Sequence, residues 1–498
     1  MRVLLIKPPI TYYKSDIEYS PYEPLGLMYL AAYLRKYSGC EVKLLDASAR
    51  IDLKRWEGDF LKYGYTDEMI VREVVNYQPD LVGISSMFTI NSKGVHDTAG
   101  LIKKTAREIP IIIGGAHASA FPHWVLKDDN VSAVVKGEGE KTLLAIADRI
   151  VNKKSFLDLD GVVFRNVDGI VENRAREYIA DLDTIPFPAR DLLDMNVYFN
   201  EKYNYSHSMS PPRTTIVSSR GCPYRCTFCS IHSLWRHTYR MRSAQNVADE
   251  IEHLKNEYRV REVAFFDDNL TVSKKRMIAI CDEIVGRKLD IHWCTPNGIA
   301  IWTLDKEVLS KMRESGCYKL TFGIETASPN TQKFIRKEHI DLNKSKELIR
   351  YCNEIGIWTH STFIIGFPYE TEADIMKTID YAVSCGVDMA TFFIATPYPG
   401  TEMYDIYKKE NLLPDVGASN ALEWLGAVNK AMCDTKYLKL EQIERFIALA
   451  QRKVYLDRAI SFLNPLRAFP KIKGKDEIRY FVKQLYSYSK RLLKSLHK

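Results

Sequence analysis

Three cysteines, Cys222, Cys226 and Cys229, fall within eight residues of each other in the stretch SRGCPYRCTFCS, spaced C-x3-C-x2-C with no fourth cysteine nearby. A structural zinc site takes four ligands, commonly in closely spaced pairs. His232 and His237 lie close enough in sequence to make a Cys3His zinc site the competing reading. A redox pair of the C-x-x-C kind would leave Cys222 unexplained. Iron–sulfur clusters are held by closely spaced thiolates, and three thiolates on a four-iron cube leave one iron open to a substrate ligand. The other seven cysteines (Cys40, Cys281, Cys294, Cys317, Cys352, Cys385 and Cys433) are scattered singly in mostly apolar surroundings. They read as small buried hydrophobes in a reducing compartment.

The elements around the triplet alternate. Before it, RVLLIKPP, EVKLLDAS, LVGISSM, PIIIGGAHAS and VSAVVKGEGE read as five buried strands separated by helical patterns such as PLGLMYLAAYLRKYSG. That alternation predicts βαβ units and a parallel sheet, whose ligands sit at the carboxyl ends of the strands. Those ends carry Ser85-Ser86, Gly114-Gly115-Ala116-His117 and Gly137-Glu138-Gly139-Glu140. A hairpin pattern, DGVVFRNVDGIVENR, and a segment carrying Pro186 and Pro188 follow as a connection. From Thr214 the alternation restarts with TTIVSSRG, EVAFFDDNLT, IHWCTPNGI, YKLTFGIETAS, WTHSTFIIGFP and MATFFIATPYPGT. At least six βα repeats predict a partial or full α/β barrel with its chemistry at the carboxyl strand ends, where the cysteine loop lies. Beyond about residue 416 the pattern is helical. The expected organisation is a Rossmann-like doubly wound domain over 1–155, a linker over 156–205, a barrel over 206–415 and a helical region over 416–498.

With 498 residues, 46% hydrophobic and 27% charged, the composition is that of a soluble globular protein. No apolar run approaches the roughly 20 residues of a spanning helix. The start, MRVLLIKPP, reaches Lys and Pro too early for a signal peptide, so a cytoplasmic location is expected. Residues 471–498 hold nine Lys/Arg against two Asp/Glu, and the remainder of the +7 chain is neutral with 61 of each sign. Without a broad basic face no nucleic-acid partner is expected.

The segment CPYRCTFC resembles the signature of the radical S-adenosylmethionine (SAM) superfamily, C-x3-C-x-aromatic-C, with Phe228 in the aromatic position. The resemblance implies a [4Fe-4S] cluster on Cys222, Cys226 and Cys229 whose free iron binds SAM. An electron from the cluster cleaves SAM to methionine and a 5′-deoxyadenosyl radical. Asp267-Asp268-Asn269 and Gly323-Ile324-Glu325 each end a strand, and the resemblance implies SAM contacts for Asp267, Asp268 and Glu325. A helix-capping role for Asp267 and Asp268 is the alternative. The segments IIGFP and ATPYPGTEMY are also similar to family segments, although their Gly and Pro suit plain turns.

The first domain, with KPP, PLGLMYLAAYL, GISS, IGGAHAS, GEGE and LDTIPFPARDLL, resembles the cobalamin-binding subfamily, and the chain is similar to its class B radical SAM methyltransferases. This likeness spans roughly residues 1–410. It implies cobalamin beside Ser85, Ser86, Gly114, Gly115 and His117, and also Glu138 and Gly139, with His117 as a plain turn residue the alternative. Many cobalamin carriers have D-x-H-x-x-G, whose His ligates cobalt from below. No such motif is present here, which implies a cofactor held without that ligand. The implied reaction is methylation of an unactivated carbon through methylcobalamin and the deoxyadenosyl radical. The alternative is a non-methylating reaction, such as the oxidative cyclisation of magnesium-protoporphyrin ester or a ring rearrangement. A tRNA methylthiotransferase would carry more N-terminal cysteines than Cys40 alone, and a corrinoid carrier would not need an open three-cysteine site. The implied partners are a small-molecule, lipid or peptide substrate and an external electron donor such as flavodoxin or ferredoxin. In the tail, Phe481, Leu485, Leu492 and Leu496 form a roughly helical apolar row among lysines. That row suits packing on the body or contact with an anionic membrane surface.

Overall fold

The computed structural model describes residues 1–13, 19–199, 208–413, 433–462 and 464–496. The chain forms two compact units. In the first, β1 (Arg2–Lys7), β3 (Glu41–Asp46), β6 (Leu81–Ser85), β7 (Ile111–Gly114) and β8 (Ala133–Val135) are parallel, in the spatial order β3-β1-β6-β7-β8. These strands are continuous apolar runs because both faces of the sheet are covered. Leu4, Ile6, Val82, Ile84, Ile111, Ile113 and Val134 form a core with Val95, Ala99 and Ile102 from the helix Ser92–Thr105. The order reverses between β1 and β6, the topological switch point where doubly wound sheets bind their ligands. Three short strands, β2 (Ile10–Tyr13), β4 (Lys54–Glu57) and β5 (Phe60–Tyr63), make a separate antiparallel sheet. The stretch expected to link the domains does more than connect. Its hairpin, β9 (Val162–Asn166) and β10 (Gly169–Glu172), pairs antiparallel with β8 and extends the first sheet to seven strands.

The second unit holds six parallel strands in sequential order: β11 (Arg213–Ile216), β14 (Glu262–Phe265), β15 (His292–Ile299), β16 (Cys317–Glu325), β17 (Trp358–Ile365) and β18 (Met389–Ile394). β18 does not pair back to β11, so the barrel is a partial one of six repeats. The crossover helices start at side-chain caps: Ser243, Ser273, Asp305, Asp341 and Thr371 each accept a first-turn backbone N–H. A short antiparallel pair, β12 (Ser219–Gly221) with β13 (Tyr239–Met241), closes off the cysteine segment as a loop. Two long helices, Leu440–Phe462 and Lys475–Leu496, complete this unit.

Candidate active site

The segment Asp267-Asp268-Asn269 at the end of β14 anchors the approach to the cysteines residue by residue. Asp267, buried, accepts from Ser218 N at 3.1 Å and Ser218 Oγ at 2.7 Å, and also from the Ser219 hydroxyl. Asp268 accepts from Gly221 N at 2.8 Å, and Asn269 Nδ2 lies 3.9 Å from Cys222 Sγ. Gly221 has φ +88°, a conformation that favours glycine, and turns the chain into the loop. Further along, Met403 N donates to Thr227 O at 2.9 Å, and Arg336 reaches Arg225 O at 3.3 Å. The loop is thus held through its backbone just before Cys222 and at two points between the cysteines.

The three cysteines are partly buried and act on one another electrostatically, and burial pushes each thiol up, that of Cys229 to about 12. Among the described residues no three His, Cys, Asp or Glu converge to hold one metal ion. His232 and His237 face each other with ring centroids 4.2 Å apart. A four-iron cube asks for something else, because each of its thiolates binds a different iron. Three neighbouring, unbridged thiols on a pinned loop fit that donor set.

Lys337 lies beside them. Its ammonium donates to Gly323 O at 2.8 Å and pairs with Glu325 Oε1 at 3.2 Å, and lies 5.8 Å from the centre of the Phe228 ring and 5.5 Å from that of Trp302. Burial disfavours the charge, but Glu325, Cys226 and Cys229 outweigh it, and the group is held above the ordinary lysine value. Glu325 has φ +68° and accepts from Thr362 Oγ1 at 3.1 Å. A Cβ on Gly323 would meet Glu325 Oε1 at 2.8 Å, so glycine leaves room for this ion pair. Tyr224, Trp302 and His339 pack around the loop, with Tyr224 5.0 Å from Trp302 and 5.9 Å from His339. Phe228 packs 6.0 Å from Phe367, in the loop where Glu370 accepts from Gly366 N at 2.7 Å. Lys337, Trp302 and His339 were not singled out from the sequence.

In the first unit, Ser85 pairs with Gly114, and Ser86 N donates to Gly114 O at 2.7 Å. Gly115 has φ +114°, and a Cβ there would meet Ser86 O at 2.5 Å. His117 N donates to Ser86 O at 3.1 Å, and His117 Nδ1 lies 3.0 Å from Thr89 Oγ1. Burial, assisted by His96, lowers the His117 pKa to about 4, so the imidazole is neutral. Glu138 and Gly139 sit differently. Glu138 accepts from Ile179 N at 2.7 Å, and Gly139 lies under Leu30, which a Cβ would approach to 2.9 Å. At the switch point, Lys7 at the end of β1 is bound to Asp46 at the end of β3 at 3.3 Å. Lys7 also donates to Tyr22 O at 2.7 Å, while Tyr198 OH donates to Asp46 at 2.7 Å. Beside this network the exposed side chains of Tyr22, Met87 and Phe88 make an apolar ledge. The sequence reading named neither the network nor the ledge.

Residues 216–382 match the radical SAM superfamily, and residues 19–147 match the B12 binding domain. The chain is 34% identical over 434 residues to the cytidylyl-2-hydroxyethylphosphonate methyltransferase of Streptomyces wedmorensis, covering 81% of this chain and 80% of that protein. The chain belongs to the cobalamin-dependent radical SAM enzymes. Its cofactors are a [4Fe-4S] cluster, SAM and cobalamin. Another relative in the family, the anaerobic magnesium-protoporphyrin IX monomethyl ester cyclase of Rubrivivax gelatinosus, is 28% identical over 81% of this chain and 69% of its own. The fold is shared with the radical SAM methyltransferase TsrM of Kitasatospora setae, whose structure has cobalamin and a [4Fe-4S] cluster bound. That match has a TM-score of 0.68 at 17% identity and covers 100% of this chain and 99% of that one.

The first unit of this cobalamin-dependent radical SAM enzyme fits such a ligand. Ser86 Oγ, Asn91 Oδ1, Ser92 Oγ and His117 Nε2 are buried without a hydrogen-bond partner, and all lie on the segments after β6 and β7. Unsatisfied buried polar atoms are costly, and a cofactor fringed with amides and a phosphate can satisfy them.

Proposed function

We propose that the protein methylates an unactivated sp3 carbon of a small-molecule substrate. The observation that carries this reading is the likeness, across both units, to a methyltransferase. When bound, the cluster supplies the electron that cleaves SAM to a 5′-deoxyadenosyl radical, and cobalamin carries the methyl group from a second SAM to the substrate carbon. The protein's own part is to hold and to shield. Cys222, Cys226 and Cys229 would hold three irons, and Asp267, Asp268 and Asn269 keep the loop in register with the end of β14. Lys337 sets a fixed positive charge beside the thiolates, oriented by Glu325 and Thr362. Phe228 and Phe367, with Phe334 packed 6.0 Å from Phe367, exclude water from that side. In the first unit Ser86, Asn91 and Ser92 would hold the polar fringe of cobalamin, and Met87 and Phe88 would offer it apolar contact. An external electron donor such as flavodoxin or ferredoxin supplies the reducing equivalents.

The test is product analysis under anaerobic turnover with a chemical reductant. Both 5′-deoxyadenosine and S-adenosylhomocysteine are expected with a competent substrate. Deoxyadenosine without S-adenosylhomocysteine would overturn methyl transfer and restore the oxidative-cyclisation reading, which has the weaker sequence support.

A further inference from the structure

The C-terminal helix Lys475–Leu496 has two different faces. Its inner face closes the floor of the barrel. Tyr480 is fully buried, 5.5 Å from both Tyr318 and Trp358, and Gln484 and Tyr488 are buried with it. Arg479 donates to Met209 O at 3.0 Å, and Ser210 Oγ donates to Asp476 at 2.8 Å. Of the apolar row named from the sequence, Phe481 packs against Trp358, and Leu485 and Leu492 are partly buried. The Leu496 side chain lies outside the described residues.

The outer face carries a different row. Ile478, Val482, Tyr486 and Leu493 are 51, 56, 70 and 60% exposed, and their spacing of i, i+4, i+8 and i+15 puts them on one helical stripe. Lys475, Lys483 and Lys490 lie three positions before Ile478, Tyr486 and Leu493, as a parallel basic row. No acidic residue follows Glu477, while residues 478–498 contain six Lys/Arg. The preceding long helix also exposes Leu449, Leu456 and Ile460 on one stripe, where Arg445 and Arg452 are mixed with Glu444 and Asp457. Among the described residues twelve large apolar side chains are more than half exposed, and six of them lie between Ile460 and Leu493. Exposed apolar surface on this scale marks an interaction site.

We propose that this face docks on an anionic lipid surface. An apolar stripe bordered by lysine and arginine is the pattern of a helix lying in the bilayer interface. Two other occupants fit less well. A second copy would bring this basic row against its own copy across a two-fold contact. An acidic electron-carrier protein would sit at the wrong end of the barrel. The helix packs on the amino ends of the strands (Tyr318 in β16, Trp358 in β17) and the cysteines follow their carboxyl ends, roughly 30 Å away along a nine-residue strand. Docking here is an attachment that leaves the mouth of the barrel clear.

The full-length protein should co-sediment with vesicles containing phosphatidylglycerol and not with phosphatidylcholine alone, and added salt should release it. Replacing Val482, Tyr486 and Leu493 together by Ser should abolish the binding. Lys483→Glu with Lys490→Glu should weaken it at least about tenfold, at about fivefold per basic residue removed from an anionic surface. Val482, Tyr486 and Leu493 are exposed, and unchanged cluster absorbance would verify the fold. Wild-type protein that stays in the supernatant with anionic vesicles would overturn the proposal, as would binding that survives both variants. A lipid-free dimer that the triple Ser variant dissociates would assign the face to a second copy instead.

Discussion

Replacing Lys337 by Met should lower the midpoint potential of the bound cluster. The ammonium lies 5.8 Å from the centre of the Phe228 ring, within the cysteine motif, and is 6% exposed, so solvent screens it little. For a charge about 7 Å from an added electron and an effective dielectric of about 20, the energy changes by about 2.4 kcal/mol. For a one-electron couple at about 59 mV per tenfold, that is about 100 mV. Glu325 stands 3.2 Å from the ammonium.

The reciprocal variant gives the sign its test. Glu325→Gln should raise the potential, and the double variant should lie between the two singles, because the pair is neutral as a whole. The assay is an EPR-monitored redox titration of the reconstituted protein without SAM, with iron and sulfide counted per chain. Lys337→Arg should restore most of the fall. If Lys337→Met and Glu325→Gln shift the potential in the same direction, or neither moves it beyond about 20 mV at full cluster loading, the electrostatic role of Lys337 is wrong.

Asp267→Ala should cost about 2–5 kcal/mol in unfolding free energy and make the cluster labile to chelators, because it strands the Ser218 and Ser219 donors on the approach to the loop. Gly115→Ala should weaken cobalamin retention through gel filtration, since its Cβ would meet Ser86 O at 2.5 Å in a left-handed backbone. Burial raises Glu370 to about 8, so between about pH 4.5 and 8 the folded state binds the extra proton. Its contribution is therefore present at low pH and lost as pH rises through about 8, and Glu370→Gln should flatten that fall in a denaturation series. The EPR spectrum of bound cob(II)alamin should show no imidazole nitrogen coupling and should be unchanged by His117→Ala. His117 is buried and boxed by Thr89, Phe121 and Trp124, in contrast to the exposed ledge beside it.

Strands covered on both faces were legible because they must be apolar throughout, and LVGIS, IIIG and AVV could be read with no knowledge of their neighbours. The cysteine triplet was legible because its ligands are local. Its supports were not. Lys337 lies in the run IRKEHI, where a lysine between Arg and Glu reads as a solvated residue, and only the fold buries it against Glu325. The last helix was legible only in part for a related reason: the row Phe481, Leu485, Leu492 and Leu496 suited either packing on the body or a membrane surface. Periodicity finds two apolar rows on Lys475–Leu496 and cannot say which one the barrel floor takes.

Asp267 shows most clearly where such reading stops. A carboxylate at a strand end can cap the next helix, touch a ligand or brace a neighbouring loop, and its local sequence is the same in each case. Here it braces a loop 49 positions away, as Asp268 does at 47, and Thr362 reaches Glu325 at 37. Each separation is about one strand, crossover and strand, because parallel neighbours bring successive carboxyl ends together only after a full βα repeat. The cluster ligands are held by a short motif, but the groups that position it and set the charge around it recur at the period of the barrel. A change in a crossover that shifts one strand by a residue would therefore turn Asp267 or Glu325 away from its partner while leaving C-x3-C-x2-C intact.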